Sequence, residues 1–170
     1  MPFTLWLYRA AVPLYVVRHA KAGSRHEFEG DDVDRPLTSA GRKQAEALSS
    51  RLASVSPALV VSSPYRRCVE TVQPLAVALA LDVTLDDRLA EFDDARSKPD
   101  AELFDFLHSL PDNTVACSHG DVIPAVVRSL RGAGMRIEGD AQWGKGSVWV
   151  LQRVDNRFVS AAAWPPPEVD

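Results

Sequence analysis

Long apolar runs and paired cysteine motifs are both missing from this chain of 170 residues. No apolar stretch comes close to the ~20 residues that a transmembrane helix needs, so the sequence predicts no membrane span. The two cysteines, Cys68 and Cys117, have no CxxC spacing, which argues against a disulfide framework and favours a reduced, cytoplasmic setting. Segment 1–13 lacks the basic start of a secretory signal, so we expect a tail there.

The chain also lacks an excess of positive charge. It has 19 Lys and Arg against 23 Asp and Glu, a net charge of -4, which argues against nucleic acid or an anionic membrane as its partner. With 46% hydrophobic and 25% charged residues, the composition is that of a globular protein. We expect a single domain over residues 1–170, with a core at about 14–163 and tails at 1–13 and 164–170.

What the chain does contain is an alternation of apolar strands and amphipathic helices. Strands are predicted at residues 14–17, 59–63, 83–85 and 114–118, with a closing hairpin at 147–154 and 157–162. The helices are predicted to begin at the N-cap Thr38, after Pro64, at residue 99 and at residue 122. This order predicts an α/β fold, a three-layer α/β/α sandwich around a mostly parallel sheet.

Charged and imidazole side chains follow each of the four predicted parallel strands. In chain order they are Arg18 with His19, Arg66 with Arg67, Glu91, and His119. Ligands of such sheets bind beyond the carboxyl ends of the strands, so we expect these side chains to meet at one edge. Each residue alone would more often be an ordinary loop or surface residue. The hypothesis of one common site rests on the placement of all of them just after the ends of the strands.

These residue types suit phosphoryl transfer. Arginine grips a phosphate through paired hydrogen bonds. A histidine with one ring nitrogen held by a hydrogen bond is a competent nucleophile toward phosphorus, and a second histidine can stabilise the phosphoryl oxygens. A carboxylic acid can protonate the leaving group.

Several motifs resemble those of a known family. Residues 14–20 (LYVVRHA) resemble the opening motif of the histidine phosphatase superfamily, the fold of phosphoglycerate mutases and phosphohistidine phosphatases. Residues 37–48 (LTSAGRKQAEAL), 62–71 (SSPYRRCVET) and 118–120 (SHG) are similar to three further motifs of that family. The resemblance covers about residues 14–163.

The resemblance implies a phosphoglycerate mutase-like fold and a phosphatase that needs no metal or other cofactor. It makes His19 the nucleophile that becomes phosphorylated, and it assigns the phosphate pocket to Arg18, Arg67 and His119. Glu91 takes the place of the general acid, and Asp93 and Asp94 lie close enough in sequence to serve instead.

The short chain bears on the substrate. Between Glu91 and Pro99 there is little room for a lid, so the chain looks most like the small SixA-type phosphohistidine phosphatases, which act on phosphorylated proteins.

Residues 18–36 and 145–151 are instead similar to the phosphatase-like domain of two-domain MutT-type Nudix hydrolases. That similarity leaves a nucleotide or other small phosphate ester as an alternative substrate. The chain has no Nudix signature, so a Nudix or signalling partner would be a separate protein. An inactive phosphate-binding or partner-binding module is the remaining alternative.

Lys21, Arg25 and Lys145 are the candidates for binding the rest of the substrate. His26 and the acids of the loop 21–35 are interpreted as a solvated surface. Residues 139–147 also read G-x-x-x-x-G-K, but Gly146 stands where a P-loop needs Ser or Thr and a strand is predicted to follow, so we reject a nucleotide-binding P-loop.

Overall fold

A computed structural model describes residues 10–169 of the chain, so residues 1–9 of the predicted N-terminal tail and residue 170 lie outside it. Its strands form one sheet in the order β3-β2-β4-β1-β6-β7-β5. They are β1 (Val12–Arg18), β2 (Leu59–Ser62), β3 (Val83–Leu85), β4 (Thr114–Ser118), β5 (Arg136–Glu138), β6 (Val148–Val154) and β7 (Arg157–Trp164). The α-helices are α1 (Ser39–Ala53), α2 (Arg66–Ala78), α3 (Ala101–Ser109) and α4 (Val122–Gly132).

The sheet is mixed, with parallel pairs in the majority. β4 pairs in parallel with β1 and β2, β2 with β3, and β5 with β7, whereas β6 runs antiparallel to β1 and β7. The predicted α/β fold with a mostly parallel sheet is therefore confirmed.

The core lies on both faces of the sheet. Along β1, Leu14 and Val16 pack into one apolar cluster, and Tyr15 and Val17 pack into another. This alternation is what a central strand shows when both faces are covered. Helices α3 and α4 supply the first cluster and α1 and α2 the second. The three layers predicted from the sequence are therefore present.

Most predicted elements match the structure closely. Thr38 is the N-cap of α1, as predicted, and its Oγ1 accepts from the Gly41 amide at 3.0 Å. Asp155 and Asn156 turn the β6–β7 hairpin with positive φ angles of 49° and 61°, a geometry that Asn and Asp tolerate well. None of the helices in residues 10–169 is both long and apolar enough to cross a bilayer.

The differences lie at short elements and strand ends. β1 begins at Val12, two residues before the predicted start, because Val12 and Pro13 pair with Arg153 and Gln152 of β6. β7 continues to Trp164, which pairs with Val148. The three-residue strand β5 and two single-turn 3-10 helices, Asp32–Asp34 and Asp87–Leu89, were not predicted, since segments this short carry little periodicity, although the equally short β3 was predicted.

Candidate active site

The register of the parallel strands brings the two candidate histidines together. Arg18, the last residue of β1, pairs with Ser118, the last residue of β4, so both strands end at the same level. The amide of His19 donates to the Ser118 carbonyl at 3.0 Å. The rings of His19 and His119 consequently lie 5.4 Å apart, centroid to centroid, in an edge-to-face arrangement.

His19 is held as a neutral imidazole with one free nitrogen. It is buried, and its Nδ1 lies 2.8 Å from the Ala20 carbonyl, which can only accept, so Nδ1 carries the proton. Burial, and then the nearby charge of His119, lower the pKa of His19 to about 3. The Nε2 lone pair is therefore available at neutral pH, which is the state that a nucleophile requires.

His119 has the opposite protonation. Its Nε2 lies 2.8 Å from Ser63 Oγ and 3.4 Å from Cys68 Sγ, and its Nδ1 lies 3.3 Å from Glu91 Oε1. Burial lowers the pKa of His119, but the contacts with Cys68 and Glu91 outweigh that effect and raise it above its ordinary value. His119 is therefore suited to remain charged and to donate.

Two arginines complete the cluster. Arg67, in the first turn of α2, is fully buried and donates from Nη2 to Glu91 Oε1 at 2.8 Å and from Nη1 to the Asp32 carbonyl at 2.8 Å. Arg18 donates to the Trp143 carbonyl, and its guanidinium lies against Gly120. A Cβ at position 120 would lie 2.5 Å from the Arg18 guanidinium, so the glycine of the SHG motif makes room for this side chain.

Glu91 is the carboxylate that reaches the histidines. Besides its contacts with Arg67 and His119, its Oε2 accepts from Arg25 Nη2 at 2.6 Å. Burial raises the pKa of Glu91, but the hydrogen bonds and charges of His119 and Arg67 prevail and hold it well below the ordinary range. Asp93, by contrast, caps a turn, with its Oδ1 accepting from the Ala95 and Arg96 amides at 2.9 and 2.8 Å.

Three buried donors of this cluster form no well-aligned hydrogen bond within the described residues, although one of them, His119 Nδ1, lies 3.3 Å from Glu91 Oε1. They are Arg18 Nε, Arg67 Nε and His119 Nδ1, and the part of the chain that the structure describes contains only two other orphaned buried polar side-chain atoms, on His108 and Gln152. Buried polar groups are normally paired, so three donors gathered at one place mark a site for an anion. His19, Glu91 and His119 could also hold a metal ion, since one ligand atom from each lies within 4.8 Å of the others, but the adjacent arginines favour an anion.

Sequence reasoning missed the role of Asp32, which it placed in a solvated surface. Asp32 Oδ2 lies 3.0 Å from Arg67 Nη2 and 3.2 Å from Arg25 Nη2, and Oδ1 accepts from Arg35 Nε at 2.7 Å. Asp32 therefore belongs to the ionic network that fixes the buried Arg67. Nothing in the loop sequence distinguishes Asp32 from Asp31 or Asp34, so no signal could have found it.

Ser63, Cys68 and Tyr65 were also missed. Ser63 and Cys68 contact His119 Nε2, and the Tyr65 ring lies 4.8 Å from the His119 ring and under the Arg67 guanidinium. All three belong to the segment 62–71 that carries the family resemblance, which was the available signal.

The candidate substrate-binding residues lie around the rim. Burial, and then the positive charge of Arg18, lower the pKa of Lys145 below its ordinary value. Gly146, with φ of 87°, donates its amide to the Arg18 and His19 carbonyls at 3.1 and 3.2 Å. Lys21 and Lys145 share a groove with residues 166–169. The strand β6 follows this turn, so residues 139–147 do not form a P-loop.

Comparisons with known proteins identify the family. The sequence profile of the histidine phosphatase superfamily (branch 1) matches residues 14–103. An 8-oxo-(d)GTP phosphatase of Mycolicibacterium smegmatis is 35% identical over 156 residues, which cover 90% of this chain and 48% of that protein. The chain therefore spans about half the length of this curated relative.

Two solved structures share the fold. The protein histidine phosphatase SixA in complex with tungstate superposes with a TM-score of 0.59 at 19% identity, covering 82% of this chain and 86% of that one. A mycobacterial glucosyl-3-phosphoglycerate phosphatase in complex with VO3 gives a TM-score of 0.62 at 22% identity, covering 88% of this chain and 100% of that one. At these identities the likeness concerns the fold alone.

Proposed function

The chain belongs to the histidine phosphatase superfamily, and on that basis we propose that it is a phosphatase that transfers a phosphoryl group to His19 and then to water. The observation that carries this proposal is the grouping of three cationic side chains, Arg18, Arg67 and His119, around the neutral His19, each with a buried donor that forms no well-aligned hydrogen bond. That arrangement suits a tetrahedral anion whose phosphorus faces His19 Nε2.

In the first step, the substrate phosphate takes the place of the Glu91 carboxylate between Arg67 and His119. Arg18, Arg67 and His119 hold its oxygens, and His19 Nε2 attacks phosphorus in line with the leaving group. The P–Nε2 bond forms as the bond from phosphorus to the leaving atom breaks. Because Nδ1 donates to the Ala20 carbonyl, the positive charge that develops on the His19 ring is stabilised.

Glu91 is the proposed general acid, and substrate binding itself would prepare it. Without substrate, Arg67 and His119 keep Glu91 ionised, which is the wrong state for donating a proton. A phosphate dianion draws both cations to itself and repels a neighbouring negative charge, so it raises the pKa of Glu91 and favours its protonation. The carboxyl group then protonates the leaving atom.

In the second step, water attacks the phosphohistidine. The P–O bond to water forms, the P–Nε2 bond breaks, and the Glu91 carboxylate takes the proton from water. His19 returns to its neutral state, and no step needs a metal ion.

Two substrate classes fit this mechanism. A protein phosphohistidine is supported by the short connection between the 3-10 helix at Asp87–Leu89 and α3, which has no helix or strand that could form a lid. A nucleotide or other small phosphate ester is supported by the 35% identity to the 8-oxo-(d)GTP phosphatase and by the cationic rim of Lys21, Arg25 and Lys145.

A substrate panel tests the proposal. We expect the protein to release phosphate from p-nitrophenyl phosphate in the presence of EDTA, and the His19→Ala variant to release none above background. Rates on a phosphorylated histidine-phosphotransfer domain, set beside those on nucleoside mono- and diphosphates, separate the two substrate classes. Strict dependence on a metal, or tight vanadate binding without turnover of any substrate, would contradict the proposal.

A further inference from the structure

A second pocket lies between α4, β5 and the turn that precedes β6. Its volume is about 650 Å³, within the range of small-molecule sites. The residues on which the argument rests are Arg128, Arg131, Arg136, Trp143 and Trp149. Trp149 lies in the segment 145–151 that resembles a phosphatase-like domain, and the other four lie outside the motifs that carry the resemblance.

The pocket has a fixed aromatic wall. Trp143 is 38% exposed and is one of three large apolar side chains, with Val77 and Leu85, that are exposed in the described part of the chain. Its ring lies 4.7 Å from the ring of Trp149, which is 1% exposed and is anchored by donation from Nε1 to the Gln142 carbonyl at 2.9 Å. The exposed indole is therefore held in place by the buried one.

Three guanidinium groups stand around this wall. Arg128 and Arg131 lie three residues apart on α4, so their side chains are neighbours on one helix surface, and β5 contributes Arg136. All three are exposed, no carboxylate of residues 10–169 pairs with them, and no acidic residue lines the pocket. In a chain of net charge -4, such a group of unpaired arginines is a local concentration of positive charge.

From this combination we propose that the pocket binds a nucleotide, with the base stacked on Trp143 and the phosphates on Arg128, Arg131 and Arg136. A base has the π face that an indole stacks against, and guanidinium groups bind phosphate through paired hydrogen bonds. An acidic peptide would pair with the arginines but would leave the indole exposed, so a nucleotide uses more of the pocket.

The pocket is joined to the candidate active site through the backbone. The Trp143 carbonyl accepts a hydrogen bond from Arg18, and three residues later the Gly146 amide donates to the Arg18 and His19 carbonyls. The bound nucleotide has two sources: it is the substrate itself, extending from His19 to Trp143, or it is a second molecule that acts on Arg18.

Calorimetric titration of the His19→Ala protein tests the proposal, because this variant does not consume the ligand. We expect GDP to bind more tightly than guanosine or pyrophosphate alone. Trp143→Ala should weaken GDP binding by roughly tenfold or more, in line with the loss of one base-stacking contact. Arg131→Ala should weaken GDP binding at low salt and reduce the salt dependence of that binding. The matched control Arg157→Ala, which removes an exposed arginine outside the pocket, should leave the affinity for GDP unchanged.

Undiminished GDP affinity in either Trp143→Ala or Arg131→Ala would overturn the proposal, as would pyrophosphate or poly-glutamate binding as tightly as GDP. Using Arg131→Ala keeps the test decisive if Trp143→Ala does not fold. Inhibition of p-nitrophenyl phosphate hydrolysis by GDP then identifies the source, since competitive inhibition indicates the substrate and a non-competitive effect indicates a second molecule. Binding is measured without turnover, so failure of the proposed phosphatase function would leave this result standing.

Discussion

One histidine directly follows β1 and another directly follows β4 at the same edge of the sheet, yet the two imidazoles have opposite properties. His19 gives its Nδ1 proton to a backbone carbonyl, and burial lowers its pKa to about 3. His119 faces Glu91 from Nδ1 and Ser63 and Cys68 from Nε2, and its pKa is raised. Both are buried, so burial alone does not distinguish them.

The comparison shows that the partner of each ring nitrogen decides the chemistry. A carbonyl partner fixes the tautomer of His19 without adding negative charge, so the ring remains a neutral base. The contacts with Cys68 and the Glu91 carboxylate favour the charged form of His119, so that ring remains a donor. In the proposed mechanism, one strand end thus supplies the nucleophile and the other supplies positive charge.

Removing His19 should have the largest effect. We expect His19→Ala to reduce kcat on p-nitrophenyl phosphate by roughly 10⁴-fold or more, because loss of a nucleophile removes the covalent route. The exposed His26 offers a matched control, and His26→Ala should retain full activity. Steady-state kinetics on both variants, with folding checked by circular dichroism, measures this. Substantial activity in His19→Ala would break the assignment of roles.

Removing His119 should cost less. We expect His119→Ala to reduce kcat by about 10²- to 10³-fold, the usual loss for one donor to a developing charge, while His19 is still phosphorylated slowly. Rapid-quench measurement of the phosphoenzyme shows this. If His119→Ala lost the phosphoenzyme completely and His19→Ala kept it, the roles of the two strand ends would be reversed.

Replacing the carboxylate beside His119 should have an effect that depends on the leaving group. We expect Glu91→Gln to slow β-glycerophosphate hydrolysis by about 10²-fold, because an alkoxide needs a proton to leave. p-Nitrophenolate leaves readily without one, so its phosphate ester should be slowed much less. The measurement is the ratio of kcat values on the two esters for each enzyme, and equal losses would exclude Glu91 as the acid.

The smallest effect should be on stability. Between pH 6.5 and 4.5 the unfolded chain protonates His19 and the folded protein does not, because its pKa has been lowered to about 3. The free energy of unfolding should therefore fall with falling pH, with a limiting slope of about 1.4 kcal/mol per pH unit from this group. His119, whose pKa is raised in the folded protein, opposes this slope close to pH 6.5 and adds none at lower pH, where both states hold its proton.

His19→Gln should remove that part of the slope. Urea unfolding of the unaltered protein and the variant at several pH values between 4.5 and 6.5 gives the two slopes. Identical slopes would show that His19 is not held neutral in the folded protein.

The alternation of strands and helices was predictable because each main strand is buried on both faces and each helix has an apolar stripe, as β1 and α1 show. The meeting of Arg18, His19, Arg67, Glu91 and His119 was predictable because parallel strands end at one edge of the sheet. The contacts of Asp32 with Arg67 and of Trp143 with Arg18 were not predictable, since they join loops whose paths no local pattern describes.

The central claim is that His19 becomes phosphorylated, and trapping the intermediate tests it most directly. The protein should be quenched in alkali during turnover of a labelled phosphate ester, and the phosphate on the chain located by mass spectrometry. The account predicts one label, on His19, that is stable in alkali and lost in acid, and that is absent from His19→Ala. A label on another residue, or one that persists in His19→Ala, would contradict it.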